Sequence, residues 1–130
     1  MKHFLFVFVI FSALISCNND DDQDKCGSTF ETAYVDNINA PDTGIVGETI
    51  PIEVTFFVMN GCGVFNEFEV TSDGNSRNII VNAEYECRAC TQSIDRISAT
   101  YNFSASTPGE YELKFKSGLD EFIIINITIL

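Results

Sequence analysis

The sequence predicts an all-β domain, a two-sheet antiparallel sandwich of seven strands, and three observations carry that prediction. From Thr29 onward apolar residues recur at every second position, the alternation of a half-buried strand rather than the 3.6-residue spacing of a helix. The alternating segments are separated by clusters of Gly, Pro, Asn and Asp. Those clusters return every ~8 to 12 residues, which leaves no room for crossover helices and favours a sandwich or a small barrel.

The first strand, Phe30 to Ile38, has a weak pattern, as expected of an edge, and Pro41-Asp42-Thr43-Gly44 turns the chain after it. The second is Ile50, Ile52, Val54, Phe56 and Val58, with Pro51 expected near the strand's start or on an open side because it has no N–H. Asn60-Gly61-Cys62-Gly63 ends it. In the third strand, Val64 to Thr71, Phe68 and Val70 are in phase while Asn66 breaks the alternation, which predicts a bulge or an edge. Asp73-Gly74-Asn75 is a hairpin signal leading into Arg77 to Tyr85, where Ile79, Val81, Ala83 and Tyr85 share a face. The fifth strand runs through Ile97, Ala99, Tyr101 and Phe103. The sixth carries Tyr111, Leu113 and Phe115, and the last, Phe122 to Leu130, puts Ile123, Ile125, Ile127 and Ile129 in phase.

Two local motifs resemble the immunoglobulin-like domains of bacterial surface proteins. Gly47-Glu48-Thr49-Ile50 looks like that family's entry into its second strand, and Pro108-Gly109-Glu110-Tyr111-Glu112-Leu113 like the turn and tyrosine that open its sixth. The resemblance spans residues 29–130 and implies a corner tyrosine: Tyr111 would bury its ring and bond nearby backbone through its hydroxyl. The antibody-type pin is missing, since there is no tryptophan and no cysteine in the second or sixth strand. A closed barrel satisfies the same strand pattern.

The N-terminus carries a different signal. Lys2 and His3 precede an apolar run from Phe4 to Ile15, shorter than the ~20 residues of a transmembrane helix, and Leu14-Ile15-Ser16-Cys17 closes it. That tetrapeptide resembles the lipobox of bacterial lipoproteins. The resemblance implies cleavage after Ser16 and lipidation of Cys17, which would make residues 1–16 a lipoprotein signal peptide and Cys17 a membrane anchor. Residues 17–28 then form a flexible tether, because Asn18 to Asp24 are polar throughout and bring nothing to a core. An acidic run directly after the lipidated cysteine resembles the surface-export signal of Bacteroidetes lipoproteins, which places the protein at the outer membrane or cell surface. As a calcium site the Asp cluster lacks fixed carbonyls and a bidentate carboxylate.

Charge narrows the partners. The chain has 7 Lys+Arg against 19 Asp+Glu, a net charge of −12, so nucleic acid is excluded as a partner and anionic headgroups repel the domain. Membrane attachment therefore falls to the lipid on Cys17. A domain of this size, within the ~100 to 200 residues of a single unit, has a modest core, so covalent staples matter.

With Cys17 acylated, Cys26, Cys62, Cys87 and Cys90 remain, an even number in an oxidising compartment. In an up-and-down trace the start of strand one, the two-to-three loop and the four-to-five loop share a pole, so all four cysteines converge there. Two disulfides are expected. Cys26 and Cys62 each bridging to one member of Cys87-Arg88-Ala89-Cys90 closes the longer loops and is favoured over Cys26–Cys62 with Cys87–Cys90. A redox-active Cys87/Cys90 pair would want a helix N-terminus, and a four-cysteine zinc site would want reduced thiols; neither suits loops between exported strands.

The only histidine, His3, leaves with the leader, which removes Ser-His and Cys-His chemistry from the mature chain. Glu67, Glu69, Glu84 and Glu86 alternate as the solvated face of a sheet does. The Asn102 and Asn126 glycan-acceptor triplets carry no weight in a bacterium. No catalytic residue, cofactor or metal is expected. The reading is a lipid-anchored, non-enzymatic binding or structural module for a protein or glycan partner; the alternative is an inhibitor or accessory subunit of an envelope or foreign hydrolase, acting through disulfide-braced loops. Exposed apolar residues such as Val64 or Phe65 at the loop tips would favour insertion into a partner. Because only a short tether separates Cys17 from Cys26, the cysteine pole would face the membrane and the turns at Pro41–Gly44, Asp73–Ser76 and Ser106–Gly109 would face away, so a distal partner is expected at those turns and the inhibitor reading of the braced loops requires a target at the membrane.

Overall fold

A computed structural model describes residues 26–130. The leader, Cys17 and the acidic stretch lie outside the described residues. Nine strands, rather than seven, form two sheets: β1 (Thr29–Ala33), β2 (Val35–Asn39), β3 (Thr43–Gly44), β4 (Ile50–Val58), β5 (Gly63–Asp73), β6 (Ser76–Tyr85), β7 (Asp95–Phe103), β8 (Gly109–Lys116) and β9 (Phe122–Ile129). No helix occurs among the described residues. One sheet has the order β1-β6-β8-β9-β3 with β5 on the other side of β6, and the second is β2-β4-β7.

The expected first strand is two strands. Ala33 ends β1 beside Val81 of one sheet, and Val35 begins β2 beside Phe56 of the other. Both are buried, with Tyr34 between them. The chain thus changes sheets without changing direction, a corner that a weak alternation could not reveal. The expected turn at Pro41–Gly44 is partly strand, since Thr43 and Gly44 pair with Thr128 and Ile129. The sandwich is also not wholly antiparallel: β3 runs parallel to β9, and β6 parallel to β8 from Ser76↔Glu112 to Ile79↔Phe115.

The remaining strands lie where alternation puts them. β4 buries Ile50, Ile52, Val54, Phe56 and Val58 in strict alternation. Pro51 sits one residue from its start, beyond β2's last partner, where an N–H would have met no acceptor. The register of β5 on β6 shifts between Phe65 and Glu67, so Asn66 is a bulge. Gly74, at φ 58°, turns the β5–β6 hairpin in a conformation that favours glycine.

One core fills the space between the sheets, from Ala33 to Ile129, and both cystines fall within residues 26–130. The described residues thus hold both the core and the cystines that brace it. The gap between β5 and β7 is closed by aromatics: Phe65 and Phe68 have ring centroids 4.7 Å apart, Phe68 and Tyr101 5.3 Å, and Tyr101 and Phe115 6.0 Å. At the other end Tyr111 is the expected corner tyrosine. Its ring is buried, its hydroxyl donates to the Thr107 carbonyl at 2.9 Å, and the Thr107 hydroxyl lies 2.8 Å from the same oxygen.

Candidate functional site: the cystine pole

Strand direction brings the four cysteines together. β4 ends and β5 begins at one pole, β6 ends and β7 begins there, and Thr29 at the head of β1 pairs with Tyr85 at the end of β6. Cys26 is joined to Cys87 and Cys62 to Cys90, with Cα–Cα distances of 5.4 and 5.6 Å. This is one of the two pairings that close the longer loops. The 87–90 loop is thereby fixed at both ends, once to the chain entering β1 and once to the β4–β5 loop.

Backbone and side-chain bonds complete the brace. The Asn60 carboxamide oxygen accepts from Cys62 N–H at 2.9 Å, Gly63 N–H donates to the Asn60 carbonyl at 3.2 Å, and Gly61 N–H donates to the Thr91 carbonyl at 3.0 Å. Tyr85 accepts from Met59 N–H at 3.0 Å, so β6 also holds the loop. A Cβ on Gly63 would stand 2.5 Å from Val58 Cβ and 2.8 Å from Tyr85 Cε1, which explains glycine there by crowding rather than by φ.

A shallow groove of about 540 Å³ opens between the two cystines, lined among others by Gly27, Asn60, Tyr85, Glu86, Arg88 and Gln92. Arg88 and Glu86 are paired at 3.3 Å in solvent, so neither presents an unopposed charge. Apolar side chains stand around the braced loops: Met59 is 57 % exposed, Val64 47 % and Ile94 65 %. Of the two residues expected to reveal such a surface, Val64 is outward, while Phe65 packs against the core. Met59 and Ile94 had no signal in the sequence, because each sits just outside an alternating segment.

The other candidate residues disperse. Glu67 and Glu84 lie on the outer face of the β5–β6 pair, opposite Asn82 and Val64, and Glu69 opposite Ile80. Among the described residues no group of three or more His, Cys, Asp or Glu is arranged to hold a metal ion, and the four cysteines are used in cystines. The far pole has its own groove, of about 380 Å³, polar and acidic, lined by Asp73, Asn75, Ser76, Glu110, Glu112 and Asn126. Arg77 braces it by donating to the Gly74 and Ser76 carbonyls at 2.7 and 3.1 Å while lying 5.7 Å from the Tyr111 ring centroid.

The architecture agrees with a comparison of sequence families. Residues 52–124, more than half the chain, match the model of the ORF11 beta-sandwich domain. The chain belongs to this ORF11 β-sandwich family. The matched span begins inside β4 and ends inside β9, so it holds both partners of the Cys62–Cys90 cystine but only one of Cys26–Cys87. The β1–β3 segment lies outside the match, together with Cys26, through which it is fastened to Cys87. Comparisons with curated proteins and with solved structures give no match.

Proposed function

We propose that this ORF11-family sandwich is a lipid-anchored, non-enzymatic binding module of a bacterial cell envelope, with its cystine pole as the protein-binding end. The observation that carries the reading is the placement of Met59, Val64 and Ile94, exposed around loops that two cystines hold rigid. Pre-ordered loops lose little entropy on docking, and exposed apolar tips supply the burial that drives it. The Leu14-Ile15-Ser16-Cys17 motif supports the anchor and an outer-membrane or surface location, and the corner tyrosine supports the immunoglobulin-like resemblance. With the lipid on Cys17 and Cys26 bridged to the pole, the partner is another component at the membrane rather than one reached from a distance.

Two measurements test the two halves. Palmitate labelling should mark the wild-type chain and not Cys17→Ser; label persisting on the variant would end the anchor reading. Residues 18–130 should retain an envelope protein that Met59→Asp and Ile94→Asp lose, with folding unchanged; equal retention by all three would move the site elsewhere. The second reading, an inhibitor or accessory subunit of a hydrolase, uses the same exposed tips. A change in the retained partner's hydrolytic rate on adding the domain separates it from a plain adhesive contact.

A further inference from the structure

The edges of the two sheets are protected unequally. β5 carries the Asn66 bulge with Glu67 and Glu69, β2 has a register shift at Asp36, β7 opens with Asp95 and Arg96, and β1 is only five residues long. Bulges, charges and shortness are the usual devices that stop a strand from pairing with another chain. β9 has none of them between Phe122 and Ile127: its register on β8 is unbroken, and Phe-Ile-Ile-Ile-Asn-Ile contains no charge and no proline. Among the described residues β3 covers only Thr128 and Ile129 on that side.

The polarity of this edge follows from two bonds. Thr128 N–H donates to the Asp42 carbonyl and Leu130 N–H to the Gly44 carbonyl, both at 2.9 Å, so the even-numbered residues of β9 turn their peptide groups away from β8. Alternation then aims the N–H and C=O of Phe122, Ile124 and Asn126 at the open side. The side chains of Phe122 and Ile124 are 43 % and 52 % exposed on the outer face. We propose that this edge pairs, antiparallel and about a two-fold axis at Ile124, with the same edge of a second copy of the chain.

The register satisfies every free group. Phe122 exchanges both bonds with Asn126 of the second copy, Ile124 does so with its own equivalent, and Asn126 with Phe122, leaving no donor or acceptor unused. The outer face gains a continuous Phe122-Ile124-Ile124-Phe122 stripe. On the inner face Ile123 meets Ile125, two residues that the single domain leaves only partly buried. On the outer face Lys114, which flanks Ile124, is paired with Glu112 of its own strand at 3.1 Å, so it brings no unopposed charge to the axis. An edge contact of this length falls below the ~1,000 Å² of a stable interface, so the dimer is a weak, exchanging one. Each copy is strongly acidic, so screening favours the pairing.

Sedimentation equilibrium of residues 18–130, from roughly 10 µM to 1 mM and at about 0.05 and 0.5 M NaCl, tests this over the concentrations of a weak interface and on both sides of effective screening. A monomer–dimer equilibrium that tightens with salt is expected, together with amide-exchange protection of Phe122, Ile124 and Asn126 that grows with concentration while Thr128 and Leu130 stay constant. Ile124→Lys places like charges on the axis, and Ile124→Pro removes a donor that faces the open side without touching the β8 ladder. Each should abolish the dimer at an unchanged melting temperature. A chain that stays monomeric throughout overturns the proposal. So does a dimer that survives both substitutions, or one that leaves those amides unprotected. An extended peptide that protects them in a chain otherwise monomeric would assign the edge to a different partner and overturn it equally.

Discussion

At Gly63 the loop enters β5 so close to Val58 and Tyr85 that only a hydrogen fits. Gly63→Ala should cost about 1 to 3 kcal/mol, the range of overpacking in a filled core, read as a lower urea midpoint. Tyr111 is held differently, by one polar contact at the end of a buried ring. Tyr111→Phe keeps the ring and loses the bond to Thr107, so it should cost about 1 kcal/mol by the same measurement. Tyr101 gives a pH signature. Burial pushes its phenol above the ordinary value of about 10, against a smaller opposing pull from Arg77. The folded chain thus holds this proton to higher pH than the unfolded chain does. Its contribution is complete below the unfolded value and is lost as pH rises through the folded one, so Tyr101→Phe should flatten the alkaline fall in melting temperature that begins near that pH.

Individual strands were legible where one face is buried. β4 and β6 alternate because their inward residues meet the opposite sheet, and Asn66 marks a bulge because it interrupts that phase. The β1–β2 corner was not legible: Ala33 and Val35 are both core residues, yet of different sheets, and a single chain of alternation cannot encode a change of partner. β3 escaped for another reason. Its two residues are held by backbone pairing to β9, which leaves no side-chain pattern. The cystines were legible from topology, since the poles follow from strand direction alone. Their removal tests elements rather than residues. Replacing Cys62 and Cys90 by serine, or Cys26 and Cys87, should each cost about 2 to 4 kcal/mol in denaturant unfolding. The second pair closes the larger loop, with a separation of 61 residues against 28, and on chain entropy alone should cost somewhat more.

Across the whole molecule, acidity sets how copies meet. The sequence pI is about 4.1, so acidification toward that value removes the repulsion that keeps domains apart. Light scattering should rise as pH approaches it and fall again below. Where an exposed apolar surface lies was the least legible property at this scale, because it depends on which loops topology gathers rather than on any one segment. Met59, Val64 and Ile94 are separated along the chain and become neighbours of the same braced pole only once β4, β5, β6 and β7 are in place.

The parallel pairing of β6 with β8 has a consequence for how the chain is made. The β5–β6 hairpin can form from local contacts, but β8 reaches β6 only after the chain has crossed to the second sheet through β7, so that ladder closes late. Cys87 and Cys90 are meanwhile three positions apart and free to meet each other first. The native arrangement requires each to find a distant thiol instead, Cys90 across the hairpin and Cys87 back at Cys26. Oxidation ahead of the hairpin therefore traps a short, wrong ring, and the yield of natively paired protein depends on thiol exchange keeping pace with synthesis.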